Sequence, residues 1–587
     1  MPQDAEITVD TATPIDATSL IDTTSLIDTA NPASSHVPLL AVRDLEVSFG
    51  RTPVPVVHRV SFDLFAGERV AIVGQSGSGK STIVGAILGL LPGDGRVTHG
   101  TVTLGGFFRS LELQDASEKR LRAIRGRRIG LVPQDPASNL NPSMKVGAQI
   151  NDALASNAAR NGLLTRAARH ERVIELMTEA GIPDAERRSR QFPHEFSGGM
   201  RQRMLIAIAL AGEPELLIAD EPTSALDVTV QRQILNHLQT LVDARGTTLL
   251  FITHDLGLAA DRTDRIIVMA EGHIVEIGTP QQILFHPQHD YTKRLVAAAP
   301  ALGPGPAERP ASVSARLETP VTADTVPTPI LAVHNLVKEF PLRGQRGGIV
   351  RAVDDVSFTV ARGTTTAIVG ESGSGKTTVA RIILGLESAT SGEALVDGRG
   401  ITASTRTARK ALRRIVQPVF QDPYGSLDPT YSIERLIDEP LRIFRVGDDS
   451  TRRARVAELL DQVALSRTVA QRRPNELSGG QRQRVAIARA LALEPELLIC
   501  DEAVSALDVL VQEQILALLQ DLQDRLGLSY LFITHDLAVV RQIAHTVVVM
   551  QSGRVVENGP VNQVFSSPAA AYTHELLGAI PGAAFVR

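Results

Sequence analysis

At 587 residues the chain is too long for one hydrophobic core, so several domains are expected. A formal charge of −5 supplies no basic field for nucleic acid, and no apolar run approaches the roughly 18–20 residues of a membrane span. One cysteine, Cys500, excludes an intramolecular disulfide or a zinc cluster, and its apolar setting reads as an inert core thiol. The N-terminus has acidic Asp4 and Glu6 in place of a basic region followed by an apolar one, so it does not read as a signal peptide, and the chain is expected to be cytosolic.

Residues 1–36 are rich in Thr, Asp and Ser and repeat with a period of six from Ile15. That period fits neither a helix nor a solenoid, so a disordered tail without assigned function is expected. From Pro38 the pattern becomes globular. Leu39–Phe49, Val56–Phe65 and Val70–Val73 read as strands. The third leads into Gly74-Gln75-Ser76-Gly77-Ser78-Gly79-Lys80-Ser81, and a helical stretch follows from Thr82 to Leu91. Strand, glycine loop and helix is the context in which this spacing means phosphate binding. The glycines let the backbone curl its N–H groups into a concave nest, and the helix contributes the positive end of its dipole.

Residues 96–134 look like further strand and a basic turn, ending in a Val-Pro-Gln134-Asp-Pro loop. Residues 143–193 are mostly helical by periodicity, as in Ala167–Ala180. Phe196-Ser197-Gly198-Gly199-Met200 opens another helix. The apolar strand Glu215–Asp220 runs into Glu221, and Thr248–Thr253 ends at His254. Arg265–Met269 and His273–Ile277 read as a hairpin. Residues 301–329 are dense in Pro and Ala, a semi-extended linker.

The whole order then repeats over residues 330–587. The second copy has Gly370-Glu371-Ser372-Gly373-Ser374-Gly375-Lys376-Thr377, Gln421, Ser478-Gly479-Gly480-Gln481, Asp501-Glu502 and His535, with a helical region around 430–473. Alternating strands and helices predict an α/β fold with a largely parallel sheet in each copy, residues 37–300 and 330–587.

ATP hydrolysis needs a phosphate cradle, a metal, a positioned water and a γ-phosphate sensor. Lys80 and Lys376 suit the phosphates. Ser81 with Asp220, and Thr377 with Asp501, suit Mg²⁺. Glu221 and Glu502 would orient or deprotonate the water, since a strand turns successive side chains to opposite faces. The neutral amides of Gln134 and Gln421 can ligate Mg²⁺ and touch the water, and His254 and His535 can donate to the γ-phosphate. One acid pair or one histidine would read as an ordinary strand end; the exact duplication beside a glycine loop favours function. Ser197-Gly198-Gly199 and Ser478-Gly479-Gly480 are small anion sites at helix N-termini, surplus for one ATP in one domain but sensible if two copies face each other.

Taken together, these motifs resemble the ATP-binding-cassette ATPases, including Leu477-Ser-Gly-Gly-Gln481 and Ser-Ala-Leu-Asp at 224–227 and 505–508. The resemblance implies two tandem P-loop domains, each with a RecA-like core, an antiparallel β subdomain and a helical subdomain. It implies a head-to-tail pair in which Ser478–Gln481 completes the Lys80 site and Ser197–Met200 the Lys376 site, with Phe49 and Phe340 stacked on adenine. Two departures stand out. The first signature reads Phe-Ser-Gly-Gly-Met, which loses the glutamine contact, and the second copy has Asp-Glu-Ala-Val where the first has Asp-Glu-Pro-Thr. Both sites are still expected to hydrolyse ATP.

Leu140-Asn-Pro, Ser197-Gly-Gly-Met-Arg-Gln-Arg203, and His286-Pro287 with Tyr291-Thr-Lys-Arg-Leu295 are similar to the oligopeptide, dipeptide and nickel importer branch. Ser567-Pro568 with Tyr572-Thr-His-Glu-Leu576 echoes the last of these. The resemblance implies two separate membrane permeases, an extracytoplasmic substrate-binding protein, a peripheral place on the cytoplasmic membrane face, and no nucleic-acid partner. Peptides lead as cargo, with nickel, glutathione-like compounds and opines as alternatives. The rival reading, a soluble twin-cassette ATPase acting on ribosomes or nucleic acid, fits poorly with the short Pro-rich linker and the missing zinc ligands.

Overall fold

Two copies of one two-sheet unit follow each other along the chain. The computed structural model describes residues 37–50, 54–105, 111–156, 165–223, 226–299, 329–341, 348–401, 405–505, 507–582 and 585. The readings made above for the tail 1–36 and for the linker up to residue 328 lie outside the described residues.

In the first copy β1 (Leu40–Phe49), β2 (Val54–Leu64), β4 (Arg96–Leu104) and β5 (Leu111–Glu112) form an antiparallel sheet in the order β2-β1-β4-β5. Its inward residues, such as Leu40, Val42, Val57, Phe62 and Val102, are fully buried. A second sheet has the order β10-β9-β3-β8-β7-β6. It contains β3 (Arg69–Gly74), β6 (Ile129–Val132), β7 (Leu216–Asp220), β8 (Thr248–Thr253), β9 (Arg265–Ala270) and β10 (His273–Gly278). Its strands are parallel except β10, which closes the expected hairpin against β9. β3, β7 and β8 read as unbroken apolar runs because a parallel sheet is covered on both faces. The second copy repeats both orders. β11 (Leu331–Pro341), β12 (Ile349–Val360), β14 (Ser391–Val396) and β15 (Arg399–Gly400) pair as β12-β11-β14-β15. β13 (Thr365–Val369), β16 (Val416–Val419), β17 (Leu497–Asp501), β18 (Ser529–Ile533), β19 (Thr546–Gln551) and β20 (Arg554–Pro560) form β16-β17-β18-β13-β19-β20.

The helices of the first copy include α1 (Lys80–Leu88), α2 (Glu118–Ile124), α3 (Val146–Ser156), α4 (Arg166–Glu179), α5 (Gly198–Leu210), α6 (Val228–Arg245), α7 (Leu256–Arg262) and α8 (Asp290–Ala298). Those of the second include α9 (Lys376–Ile383), α10 (Ile433–Phe444), α11 (Asp449–Gln462), α12 (Gly479–Leu491), α13 (Val509–Leu526) and α14 (Ala571–Gly578). α3, α4 and α5 pack together as the helical layer, as do α10, α11 and α12. α1 stops short of the expected Leu91 because Gly89 takes φ 62° and donates its N–H back to Ala86, closing the last turn. The expected basic turn before β6 holds α2 instead: Leu121 and Ile124 are buried, and Glu118 pairs with both Arg122 and Arg125.

Cys500 is fully buried in β17, and burial, with Asp501 beside it, pushes its thiol up to about 12. It is therefore expected to react with a soluble disulfide reagent only as fast as the chain unfolds. Native-buffer labelling at the rate of the denatured chain would contradict this placement.

The two copies are docked. Val509 and Leu510, at the start of α13, belong to the hydrophobic cluster of the first copy. α8 packs on α13, and α14 packs reciprocally on α6. The Arg232 guanidinium donates to Gly578 O at 2.6 Å, and Gly582 N–H donates to Asp261 Oδ2 at 2.7 Å.

Candidate active sites

Each glycine loop leaves the carboxyl end of a central parallel strand, where α/β sheets place ligands. The Lys80 ammonium donates to Gly74 O at 2.7 Å and Gln75 O at 2.8 Å; Lys376 does the same to Gly370 O and Glu371 O at 2.7 Å. Both lysines are buried. Burial pulls their pKa values below the ordinary 10.5 despite the neighbouring carboxylates. Gly79 and Gly375 cap α1 and α9 in the left-handed region at φ 96° and 101°, where a side chain would be strained.

Asp220 and Asp501 end β7 and β17. Ser81 Oγ donates to Asp220 Oδ1 at 3.4 Å. Burial raises the pKa of both aspartates; at Asp501 the charge of Glu502 adds to it. Asp501 Oδ1 is buried with no hydrogen-bond partner. An orphaned carboxylate oxygen, a neighbouring hydroxyl and a pKa waiting for positive charge fit a hard divalent cation with oxygen ligands.

Glu221 and Glu502 adopt φ 44° and 48°. This conformation costs a non-glycine residue about 1–3 kcal/mol. It is held because each N–H donates across to the next strand, to Ile252 O and Ile533 O, both at 2.9 Å. Gln134 Nε2 donates to Glu221 Oε2 at 2.9 Å, and His254 Nδ1 lies 3.1 Å from Glu221 Oε1. In the second copy Gln421 Nε2 donates to Glu502 Oε2 at 2.6 Å, and His535 Nδ1 lies 3.3 Å from Glu502 Oε1. Burial works against the charge of both histidines, yet the glutamate bonds raise their pKa above 6.5. Glu221 resists its own burial, and Glu502 is stabilised first by His535, so both carboxyls sit below their ordinary 4.5. Each glutamate is thus a charged, oriented acceptor between an amide and an imidazole.

The two Ser-Gly-Gly stretches are placed differently from the nucleotide loops. Ser197 and Ser478 accept from Met200 N and Gln481 N at 3.3 Å, capping α5 and α12. Gln481 Oε1 accepts from Ser478 N–H at 3.1 Å, so its amide serves a local capping box that Met200 cannot make. A Cβ on Gly199 would come within 2.7 Å of Val230, and one on Gly480 within 2.5 Å of Val511. Close packing of α5 on α6 and α12 on α13 therefore demands these glycines. Gly198 and Gly479 face Leu226 and Leu507 at longer range.

A cavity of about 430 Å³ lies over Lys80. Its walls include Ser76, Gly77, Gly79, Lys80, Ser81, Gln134, Glu221 and His254, and from the opposite copy Ser505, Leu507 and Asp508. Neither Ser478 nor Gln481 is among its walls; Ser505, Leu507 and Asp508 occupy the facing position. The charge of Asp508 reaches Lys80, and that of Asp227 reaches Lys376. Phe49 is not a wall of this cavity: its ring packs over Gly95, where a Cβ would come within 2.5 Å. Phe340 is partly exposed, with the Lys338 ammonium 4.8 Å from its ring centre.

Reading the sequence missed the opposite-copy Ser505, Leu507, Asp508 and Asp227 as parts of the sites. The signal was present, since Ser-Ala-Leu-Asp occurs twice. It also missed Tyr291 and Tyr572, whose hydroxyls accept the N–H of Gln75 and Glu371 at 3.0 Å.

The sequence pattern of the ABC transporter family matches residues 57–224 and 353–505, and that of the oligopeptide/dipeptide transporter C-terminal region matches 275–321. The chain is 43% identical over 565 residues to the glutathione import ATP-binding protein GsiA of Escherichia coli strain K12, covering 92% of this chain and 89% of that protein. The identity and coverage are the same for the GsiA protein of Shigella sonnei strain Ss046. Among solved structures, a dimeric bacterial ABC transporter cassette, MJ0796, is 31% identical with a TM-score of 0.36, covering 39% of this chain and 98% of that one.

Proposed function

This chain belongs to the ABC transporter family and carries its oligopeptide/dipeptide C-terminal region, and from that premise we propose that it is the ATP-hydrolysing subunit of an importer for peptide-like cargo such as glutathione. We divide it into cassettes at 37–300 and 330–587, with 301–329 as linker and 1–36 as tail. The observation that carries the reading is the Lys80 cavity, walled by the glycine loop of one cassette and by Ser505, Leu507 and Asp508 of the other.

The backbone nests Gly74–Ser81 and Gly370–Thr377 would seat the phosphates of ATP, with Lys80 and Lys376 supplying compensating charge. Ser81, Asp220 and Gln134 in one site, and Thr377, Asp501 and Gln421 in the other, would hold Mg²⁺. When bound, that ion neutralises charge developing on the phosphate oxygens. Glu221 and Glu502 accept a proton from the attacking water, already ionised and aimed by their glutamine and histidine partners. His254 and His535, each fixed through Nδ1, would sense the γ-phosphate through the remaining ring nitrogen. Phe49 and Phe340 are assigned to adenine. Ser197–Gly199 and Ser478–Gln481 would join the γ-phosphate of the opposite site on closure, because their helix N-termini attract an anion. Binding then favours the closed pair, and hydrolysis releases it.

Among the described residues no helix is long and apolar enough to cross a membrane. In the importer reading the motion would pass to separate permeases. A groove of about 1170 Å³ between the core and the helical layer of the second cassette supports this coupling. Phe420, Gln421, Ile443 and Phe444 wall it, and Phe420 and Ile443 are exposed apolar side chains. A permease helix laid there would touch the loop of Gln421, which donates to Glu502. The chain would act on the cytoplasmic face of the membrane, with an extracytoplasmic binding protein delivering cargo. Affinity purification of the tagged chain from solubilised native membranes is expected to bring two permease subunits with it. Recovery of ribosomal proteins without permeases, from a chain that still hydrolyses ATP, would sink the importer reading.

A further inference from the structure

We propose that Tyr291 and Tyr572 are positioning residues for ATP binding, each tying the back of its own glycine loop to the opposite cassette through the helix that carries it. The inference rests on the reading of the glycine loops as ATP sites.

Both tyrosines are buried, at 5% and 7% exposure, and each hydroxyl accepts one N–H at 3.0 Å, from Gln75 and from Glu371. These are the second residues of the two loops. Their carbonyls already accept from Lys80 and Lys376. The same residue is thus gripped at its carbonyl by the lysine and at its N–H by the tyrosine. Burial pushes both hydroxyls up to about 12, so they stay neutral near pH 7.

The tyrosines are themselves staked. Glu276 accepts from Gln288 N and His289 N at 2.9 and 3.1 Å, and the His289 ring accepts from Tyr291 N–H at 3.1 Å. In the second cassette Glu557 accepts from Ala569 N and Ala570 N at 2.8 and 3.1 Å. A carboxylate receiving two backbone N–H groups fixes the start of each tyrosine helix without any cofactor.

The other end of each helix crosses the seam. α8, carrying Tyr291, packs on α13, whose N-terminal cap Asp508 walls the Lys80 cavity. α14, carrying Tyr572, packs on α6, whose cap Asp227 acts on Lys376. Each site is therefore enclosed by a ring: glycine loop, tyrosine, C-terminal helix, opposite helix, and that helix's capping aspartate back at the loop. Relative motion of the cassettes pulls on the loop backbone through the tyrosine hydroxyl.

The ring is reinforced on one side. Thr229 donates across the seam to Glu371 Oε1 at 2.5 Å, whereas the corresponding positions of the other site are Leu510 and Gln75, which cannot form a carboxylate bond. Losing the hydroxyl should therefore harm the Lys80 site more than the Lys376 site.

The test replaces Tyr291→Phe and Tyr572→Phe in the full chain, keeping the rings and removing only the hydroxyls. A neutral hydrogen bond of this kind corresponds to roughly a three- to tenfold change in an equilibrium constant. Y291F is expected to raise the KM for ATP by about that factor with kcat little changed, and Y572F by less. Melting temperatures should fall by no more than about 2–4 °C, the cost of one part-buried N–H losing its partner. Hydrogen–deuterium exchange in the peptide containing Gln75 should quicken in Y291F. A packing role of the rings alone is preserved by phenylalanine, and a merely structural hydrogen bond would quicken exchange without moving KM, so wild-type KM in both variants would overturn the proposal. Assaying E221Q/E502Q alongside separates the two ideas: if that double variant is inactive and the phenylalanine variants match wild type, the ATPase reading stands and the tyrosine inference fails. If the double variant retains full activity, the ATPase reading itself fails.

Discussion

The double variant E221Q/E502Q is expected to hydrolyse ATP at least about 100-fold more slowly than the parent chain while binding ATP undiminished. Glutamine keeps the size and most hydrogen-bonding capacity of glutamate, so Gln134 and Gln421 retain a partner and the strand-end geometry survives. It cannot take a proton from water. Each single variant loses the turnover of its own site, and a single variant with full activity would show that its site is not catalytic. The readout is phosphate release at saturating ATP, alongside ATP retention on a filter, since a pair that binds but does not hydrolyse should stay closed. A pH signature accompanies it. In the parent chain His254 and His535 have folded-state pKa values above the ordinary 6.5, so their contribution to stability is complete below pH 6.5 and is lost as pH rises through the folded values. The glutamates lie below their ordinary 4.5, so their contribution is present above pH 4.5 and is lost as pH falls through the folded values. Removing the carboxylates leaves burial as the main influence on the imidazoles. Their pKa values should then fall below 6.5, and the stability gained by protonating them should vanish.

Gly74→Ala and Gly370→Ala are expected to reduce ATPase activity by about 100-fold or more, through displacement of the loop by about 1 Å. A Cβ at Gly74 would lie 2.2 Å from Met269 O, and one at Gly370 2.1 Å from Met550 O. These carbonyls belong to β9 and β19, which pair with β3 and β13 in parallel register up to the loop. The only relief is to part the strands, which moves the Gly74 and Gly370 carbonyls that Lys80 and Lys376 grip. Overpacking of this kind also costs about 1–3 kcal/mol of stability. Gly77→Ala is the contrast: its φ is 82° but nothing lies within 4 Å of the added Cβ. It should lower the melting temperature slightly and leave the strands in register. Equal damage from G77A and G74A would mean that backbone conformation, and not the clash, governs the loop.

The motifs were legible because their chemistry is carried by neighbours in sequence. A glycine loop between an apolar strand and a helix needs only local geometry, and so do an acid pair at a strand end or a histidine before an N-terminal cap. Element boundaries were legible where a residue type forced them and were missed where it did not. The basic segment before β6 read as a turn because its arginines obscured Leu121 and Ile124, the two residues that bury α2. The family resemblance marks Gln481 as a ligand contact; what it does not reveal is that the Gln481 oxygen also accepts from Ser478 N–H, a bond favoured by the spacing of three residues at a helix start.

By itself the amino-acid sequence determined that two nucleotide-binding units exist, and it singled out the acid, amide and imidazole side chains that the fold brings into contact beside each glycine loop. Only the tertiary structure decided what surrounds each loop: Asp508 and Asp227 arriving from the opposite unit, and Tyr291 and Tyr572 gripping the loop from behind. The reason is physical. A strand or helix period records which face of an element is buried, whereas contacts between residues some 140 to 430 positions apart depend on how whole apolar faces such as those of α8, α13, α6 and α14 dock, which no local period encodes.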